Sequence, residues 1–259
     1  MPELPEIEAS KRVLAPRLRG DSLVSCRILS PGFCRNPSAR RLEKLSGRAI
    51  RGLARRGKYL AIELEGSTPL ILHLGMSGRL ILDGRGPHER FEIQTTRHRL
   101  SISDPRRFGR VLFRFPKLGA EPLGPGFSPR ILAELLRRRK APVKALLMDQ
   151  RLVAGLGNIY ATEALFEAGV RPGKAGGRLS RAEIERLARA SRRVLRRAVR
   201  LGGSTLADQA YLDPLGKPGR AGAAASLYGR AVGRCGHPLR STRRLIAGRR
   251  AIYCPVCQR

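Results

Sequence analysis

The first six residues, Met1-Pro2-Glu3-Leu4-Pro5-Glu6, hold the side chains and spacing best suited to covalent chemistry. Once an initiator Met is removed, Pro2 leaves a secondary amine at the chain terminus. Such an amine attacks an aldehyde carbon and forms an iminium, chemistry more often given to lysine. An α-amino group has a reference pKa near about 8, against about 10.4 for lysine, so more of it is neutral and nucleophilic at neutral pH. Glu3 stands next to it and can supply or take up a proton. The same residues also make an ordinary helix start, with Pro5 in the first turn and acids at the positive end of the helix dipole. Alone, they favour the helix start.

Other stretches carry weaker signals. Arg55-Arg56-Gly57-Lys58-Tyr59-Leu60 sets Lys58 after a glycine turn at the start of a strand. His73-Leu74-Gly75-Met76-Ser77-Gly78 and Asp104-Pro105-Arg106-Arg107-Phe108-Gly109 put Met76, Arg106 and Phe108 in turns. Loop tips lie at the surface, where Met and Phe are poor core material but suit insertion into a base stack. Gly155-Leu156-Gly157-Asn158 opens a helix with backbone N–H groups, a phosphate-binding arrangement to which Asn158 adds an amide. Arg137-Arg138-Arg139-Lys140 offers further phosphate contacts.

These residues need rigid elements to hold them. A helix is expected from Pro5 to about Ala15, with Pro16 ending or kinking it. Alternation over Tyr59–Leu64, Pro69–Leu74, Arg79–Leu82, Phe91–Thr95, Arg99–Ser103 and Arg110–Phe115 predicts a β-sandwich. A proline- and glycine-rich linker at 119–130 separates it from a helical region. There Ser128-Pro129, Pro142 and Asn158 open helices, and the capping box Ser180-x-x-Glu183 heads a long basic helix ending at Gly202-Gly203. The run 213–224 reads as a flexible loop, and the last residues as a hairpin bearing Cys235, Cys254 and Cys257.

The 259 residues carry 52 Lys+Arg against 20 Asp+Glu, a formal charge of +32 distributed along the whole chain. Such a surplus calls for a polyanionic partner, and nucleic acid is the first candidate. No apolar run is long enough to span a membrane, and an odd number of cysteines argues against a disulfide framework. Cys26 and Cys34 read as unbridged thiols. A soluble, cytoplasmic protein is expected.

In this order, the motifs resemble the bacterial formamidopyrimidine-DNA glycosylase family. The matching stretches are MPELPEIE at 1–8, RRGKYL at 55–60, HLGMSG at 73–78, DPRRFG at 104–109, LMDQRLVAGLGNIYATEALF at 147–166, GKPG at 216–219 and YGR at 228–230. The resemblance implies an α+β chain with four parts. A β-sandwich domain with an N-terminal helix covers 1–118, and the linker covers 119–130. A helix–two-turn–helix domain covers 131–222, and a zinc-finger-like β-hairpin covers 223–259. DNA would bind between the domains, to a monomer. The implied activity is that of a base-excision DNA glycosylase and abasic-site lyase acting on duplex DNA with oxidised purines or abasic sites. Pro2 would be the Schiff-base nucleophile, Glu3 the acid that opens the deoxyribose and Lys58 an aid to elimination. Met76, Arg106 and Phe108 would fill the space of the extruded base, and His88, Arg139 and Asn158 would contact DNA. Arg249 would serve phosphate contact and the second elimination.

One departure concerns the finger. The family pattern has two C-x2-C pairs, but here the first is reduced to Cys235, with Val232 in its partner's place. Structural zinc takes four ligands. His237 is the nearest substitute, yet Cys-x-His is a tight spacing. The expectation is therefore a metal-free hairpin packed through Leu239, Ile246, Ile252 and Tyr253, with one structural zinc as the alternative and no organic cofactor. Two other readings stay open: an endonuclease VIII-like enzyme for oxidised pyrimidines, and a non-catalytic binder of damaged DNA.

Overall fold

The computed structural model describes residues 2–31, 33, 39–206 and 211–259. Cys34 lies outside the described residues, and Cys26 forms no disulfide with another described cysteine. By contacts the chain divides into two compact units, Met1–Pro116 with Leu201–Arg220, and Lys117–Arg200 with Ala221–Arg259. The segment 201–220 thus belongs with the N-terminal residues rather than with the helices that precede it.

In the first unit, helix α1 (Leu4–Leu18) begins with a reciprocal capping box between Glu3 and Glu6. It does not stop at Pro16, which lies inside its last turn. A proline there removes a single ladder bond, and the end is secured by other donors: Arg19 N–H to the Ala15 carbonyl at 3.1 Å and Arg17 Nη1 to the Val13 carbonyl at 2.6 Å. Eight strands and one short helix follow. They are β1 (Leu23–Ile28), α2 (Ala39–Glu43), β2 (Ile50–Arg56), β3 (Tyr59–Leu64), β4 (Leu70–His73), β5 (Arg79–Leu82), β6 (Glu89–Thr95), β7 (Arg99–Ser103) and β8 (Arg110–Leu112).

They form two antiparallel sheets, ordered β1-β6-β7-β5 and β2-β3-β4-β8. Phe91, Ile93, Leu100 and Ile102 of one sheet and Leu60, Ile62, Leu70, Leu72 and Val111 of the other belong to one buried cluster, which Ile7 and Leu14 of α1 join. Burying each such side chain contributes about 1.5–3 kcal/mol. Strands β1 and β2 are absent from the runs picked out by alternation. Both are edge strands, and only their first residues, Leu23 and Ile50, are buried. An edge strand needs little apolar patterning to stay in place.

The loop 212–216 covers the β5 edge, where Leu82 N–H donates to the Pro214 carbonyl at 2.9 Å. Asp213 Oδ1 accepts from the N–H groups of Leu215 and Lys217, each at 2.9 Å, so this part of the expected flexible loop is tied down.

The second unit contains α3 (Pro129–Leu136), α4 (Val143–Met148), α5 (Asn158–Glu167), a 3-10 turn at Gly176–Arg178 and α6 (Arg181–Arg200), then the ribbon β9 (Arg240–Ser241) and β10 (Ile252–Tyr253). Helix α5 is buried from Ile159 to Leu165. Helix α6 buries Leu187, Ala190, Val194, Leu195 and Ala198 and exposes arginines on its other side. Its capping box forms as expected, with Glu183 N–H to Ser180 Oγ at 3.3 Å and Ser180 N–H to Glu183 Oε2 at 2.8 Å. Among the described residues no helix is long and apolar enough to cross a membrane.

Candidate functional site

Pro2 and Glu3 lie buried at the head of α1, and Glu6 beneath them organises the chain start. Its Oε2 accepts from Glu3 N–H at 2.8 Å, and its Oε1 accepts from Ser204 N–H at 2.7 Å. The Tyr211 hydroxyl donates to the Glu6 carbonyl at 3.1 Å, and burial followed by the Glu6 charge pushes that phenol well above its ordinary pKa. Gly203 must be glycine: φ is +76° to +81° across Gly202-Gly203, and a Cβ on Gly203 would come within 2.8 Å of Glu6 Oε1.

Lys58 follows Gly57 (φ +55°) in the β2–β3 turn and is 6% exposed. That hairpin is keyed to α1 by Arg55 Nε on Glu8 Oε2 at 2.9 Å. Burial pushes the Glu8 carboxyl up, but hydrogen bonds from Lys11 and Arg55 hold it below its ordinary value. His73 pairs across from Tyr59 and stacks on its ring, 4.6 Å between centroids. Burial, with the charges of Lys58 and Arg110, lowers the His73 pKa to about 4, so the ring is neutral at pH 7.

In the same unit the Met76 turn and the 104–109 turn interlock. A Cβ on Gly75 (φ +61°) would stand 2.4 Å from the Phe108 carbonyl carbon, so only glycine lets the two backbones approach this closely. Met76 is half-buried, Arg106 is exposed and Phe108 is 44% exposed, with the Arg106 guanidinium 4.9 Å from its ring centroid. His88, exposed and left-handed at φ +61°, joins the group through its carbonyl, which accepts from Asp104 N–H at 3.0 Å.

The second unit holds the other candidates. Asn158 starts α5, and its Nδ2 donates to the Tyr228 hydroxyl at 3.3 Å, while its Oδ1 is buried without a partner among the described residues. Buried Glu163, one turn on, accepts from the N–H groups of Ser226, Leu227 and Tyr228 at 2.7–2.9 Å and so sets Tyr228 beside Asn158. Arg139 is exposed after α3, its Nε donating to the Leu135 carbonyl at 2.7 Å. Arg249 is exposed at the end of a tight turn closed by Ile246 N–H to the Arg249 carbonyl at 2.7 Å. Both central residues are left-handed, Ala247 at φ +51° and Gly248 at φ +76°, the signature of a type I′ hairpin.

The hairpin corrects the expectation of a metal-free ribbon. Of the four packing residues named for it only Ile246 is buried, whereas Cys254 is fully buried. The donor atoms of Cys235, His237, Cys254 and Cys257 all lie within 4.8 Å of one another. Cys235 Sγ is 3.8 Å from Cys254 Sγ, and His237 Nδ1 is 3.7 Å from Cys254 Sγ and 3.5 Å from Cys257 Sγ. Ligands about 2.0–2.3 Å from a tetrahedral zinc stand about 3.3–3.8 Å apart, so the donor set fits a structural Cys3His zinc. The tight Cys-x-His spacing works because Gly236 takes φ +78° and folds the two side chains to the same side. Burial raises the Cys254 thiol pKa, but N–H groups of Cys257 and Val256 and the neighbouring thiols outweigh it and bring it to about 7, whereas burial and the bonds to Cys254 and Cys235 push Cys257 up to about 11, so the two thiols share one readily lost proton.

Motif reading did not single out Glu6, His73, Asp104, Glu163 and Tyr228, although all five lie inside the motif stretches. Ser204 and Tyr211 had no local signal, since their role depends on a fold that returns 201–220 to the N-terminus.

Two domain types account for most of the chain. Residues 1–111 match the formamidopyrimidine-DNA glycosylase N-terminal domain, and 118–210 match the formamidopyrimidine-DNA glycosylase H2TH domain. A formamidopyrimidine-DNA glycosylase of Thermus thermophilus is 42% identical over 271 residues, covering 100% of this chain and 98% of its own. The crystal structure of MutM (Fpg) from Thermus thermophilus superposes with a TM-score of 0.90 at 40% identity, covering 99% of this chain and 98% of that one. A Lactococcus lactis Fpg mutant in complex with Fapy-dG-containing DNA gives 0.90 at 31% identity over 100% of both chains. The chain belongs to the formamidopyrimidine-DNA glycosylase family.

Proposed function

We propose that the chain is a bifunctional DNA glycosylase and abasic-site lyase of base excision repair, removing oxidised purines such as formamidopyrimidines and 8-oxoguanine from duplex DNA. The observation that carries this reading is the buried start of α1, where Pro2 precedes two buried carboxylates in the unit that also holds buried Lys58. A non-catalytic DNA binder has no use for that arrangement. The pyrimidine-specific alternative is disfavoured by the relatives, which bear the formamidopyrimidine name.

The chemistry follows from the residues. A base inside the duplex is out of reach, so it is extruded at a cost of a few kcal/mol. Phosphate contacts from Arg139, Asn158, His88 and Arg249 offset that cost, and Met76, Arg106 and Phe108 occupy the vacated space. The Pro2 nitrogen bonds to C1′ as the glycosidic bond breaks, and the base departs with that electron pair and takes up a proton. Glu3 delivers a proton to the ring oxygen, which opens the sugar and leaves an iminium on Pro2. The iminium acidifies the C2′ proton. Its removal expels the 3′-phosphate, and a second elimination, aided by Lys58 and Arg249, expels the 5′-phosphate. A structural zinc held by Cys235, His237, Cys254 and Cys257 would brace the hairpin that presents Arg249.

Borohydride reduction during reaction with an abasic-site duplex tests the proposal. A covalent protein–DNA adduct on the peptide containing Pro2 is expected. An N-terminally blocked protein that still forms the adduct and cleaves the strand would overturn it.

A further inference from the structure

We propose that Asp104 is the positioning residue that holds Met76, Arg106, Phe108 and His88 as one preformed wedge, acting through its link to Ser77; this rests on the functional reading above. Asp104 is fully buried, an unusual place for a carboxylate. One oxygen, Oδ1, accepts from the Ser77 hydroxyl at 2.6 Å and from Arg106 N–H at 3.2 Å. The other, Oδ2, accepts from Gly109 N–H at 2.7 Å. The backbone of the same residue donates to the His88 carbonyl at 3.0 Å and accepts from Arg90 Nε at 2.9 Å.

An aspartate that only capped its own turn would need the contacts to Arg106 and Gly109 alone. The bond to Ser77 does something more, because it spans 27 positions and fastens the residue beside Met76 to the loop that carries Arg106 and Phe108. Three residues around this carboxylate are left-handed: Gly75, His88 and Arg107. For His88 and Arg107 that conformation persists only where neighbours enforce it.

A wedge must enter the base stack with its parts already in register. Tips that moved independently would lose their freedom on entering the DNA, at the expense of the extrusion they are meant to drive. Loosening the wedge should therefore slow steps that need base extrusion. Closing an iminium on a preformed abasic site, with no base to extrude, should depend on it far less.

The decisive variant is Ser77→Ala, which removes the inter-loop bond but leaves both bonds within the 104–109 turn. Single-turnover excision of a formamidopyrimidine base is expected to fall about tenfold, the usual effect of losing one hydrogen bond to a charged group. Borohydride trapping on a preformed abasic site should stay within about twofold of the parent on the same free-energy scale. Ser77→Thr, which keeps the hydroxyl, should restore excision. Because Ser77 acts through the wedge, adding Ser77→Ala to Phe108→Ala should lower excision little further. Independent, multiplicative losses in the double variant would overturn the proposal. So would equal losses in excision and trapping, or no loss in either. A parent that fails to trap at all would instead refute the functional reading.

Discussion

At the scale of single residues, the amine is set by what lies beneath it. Pro2→Gly leaves a primary amine at the same place, so strand cleavage at a preformed abasic site should survive at reduced rate while base excision falls more steeply. Gel assays on abasic and lesion duplexes would show the split, and full retention of both activities would count against Pro2 as the nucleophile. His73 supplies a pH dependence whose sign follows from its burial. Its folded pKa is about 4 against an ordinary 6.5, so between these values the unfolded chain binds more protons. Stability from His73 is therefore complete above about pH 6.5 and is lost as pH falls towards 4. The full difference is on the order of 3 kcal/mol. Urea unfolding at about pH 7.5 and about pH 5, on either side of the ordinary imidazole pKa, should show a lower midpoint at the acid value, and His73→Gln should reduce the gap. At this scale Pro2, Glu3 and Lys58 are candidates by residue type and position, and the structure adds that all three are buried. The residues that support them were less legible: a carboxylate such as Glu6 or Asp104 reads as a helix-start or turn residue until the fold shows which distant N–H and O–H groups reach it.

At the scale of elements, legibility tracked patterning. The inner strands β3, β4 and β7, buried on one face or both, stood out by alternation, whereas the edge strands β1 and β2 had too little buried surface to leave a pattern. The four-donor cluster of the hairpin was not legible, because spacing alone cannot show that Gly236 is left-handed. Elemental analysis of purified protein should find one zinc per chain. His237→Ala should lower that occupancy, and stripping the metal with a strong chelator should reduce strand cleavage at abasic DNA and lower the melting temperature; retention of both would restore the metal-free reading. The turn above the finger offers a second test. Ala247 pays about 1–2 kcal/mol for its left-handed backbone, which Gly or Asn would largely relieve. Ala247→Gly should slow hydrogen exchange at the Ile246 amide, and faster exchange would contradict the turn assignment.

At the scale of the whole molecule, the formal charge of +32 makes affinity for DNA a matter of ionic strength. The logarithm of affinity should fall linearly with the logarithm of salt concentration, by about 0.9 for each phosphate neutralised. Arg139→Gln should flatten that line by close to one phosphate, while Phe108→Ala should weaken lesion binding at unchanged slope. Parallel lines for parent and Arg139→Gln would remove Arg139 from the phosphate contacts. Charge and motif order could be read from the sequence at this scale, but the return of 201–220 to the N-terminal unit could not, since nothing local in that segment names its destination.

That return sets an order of events during synthesis. Glu6 waits for Ser204, 198 positions downstream, to supply one of its N–H partners. At about 5–20 residues per second the ribosome delivers that partner roughly 10–40 seconds after Glu6 itself has been made. The start of α1 therefore cannot take its final setting on a partly made chain, and a truncated product ending before Leu201 would keep Pro2 while lacking part of the frame around it. Expressed alone, residues 1–116 should be less resistant to proteolysis than the same residues in the full chain, and adding 201–220 as a separate peptide should restore protection.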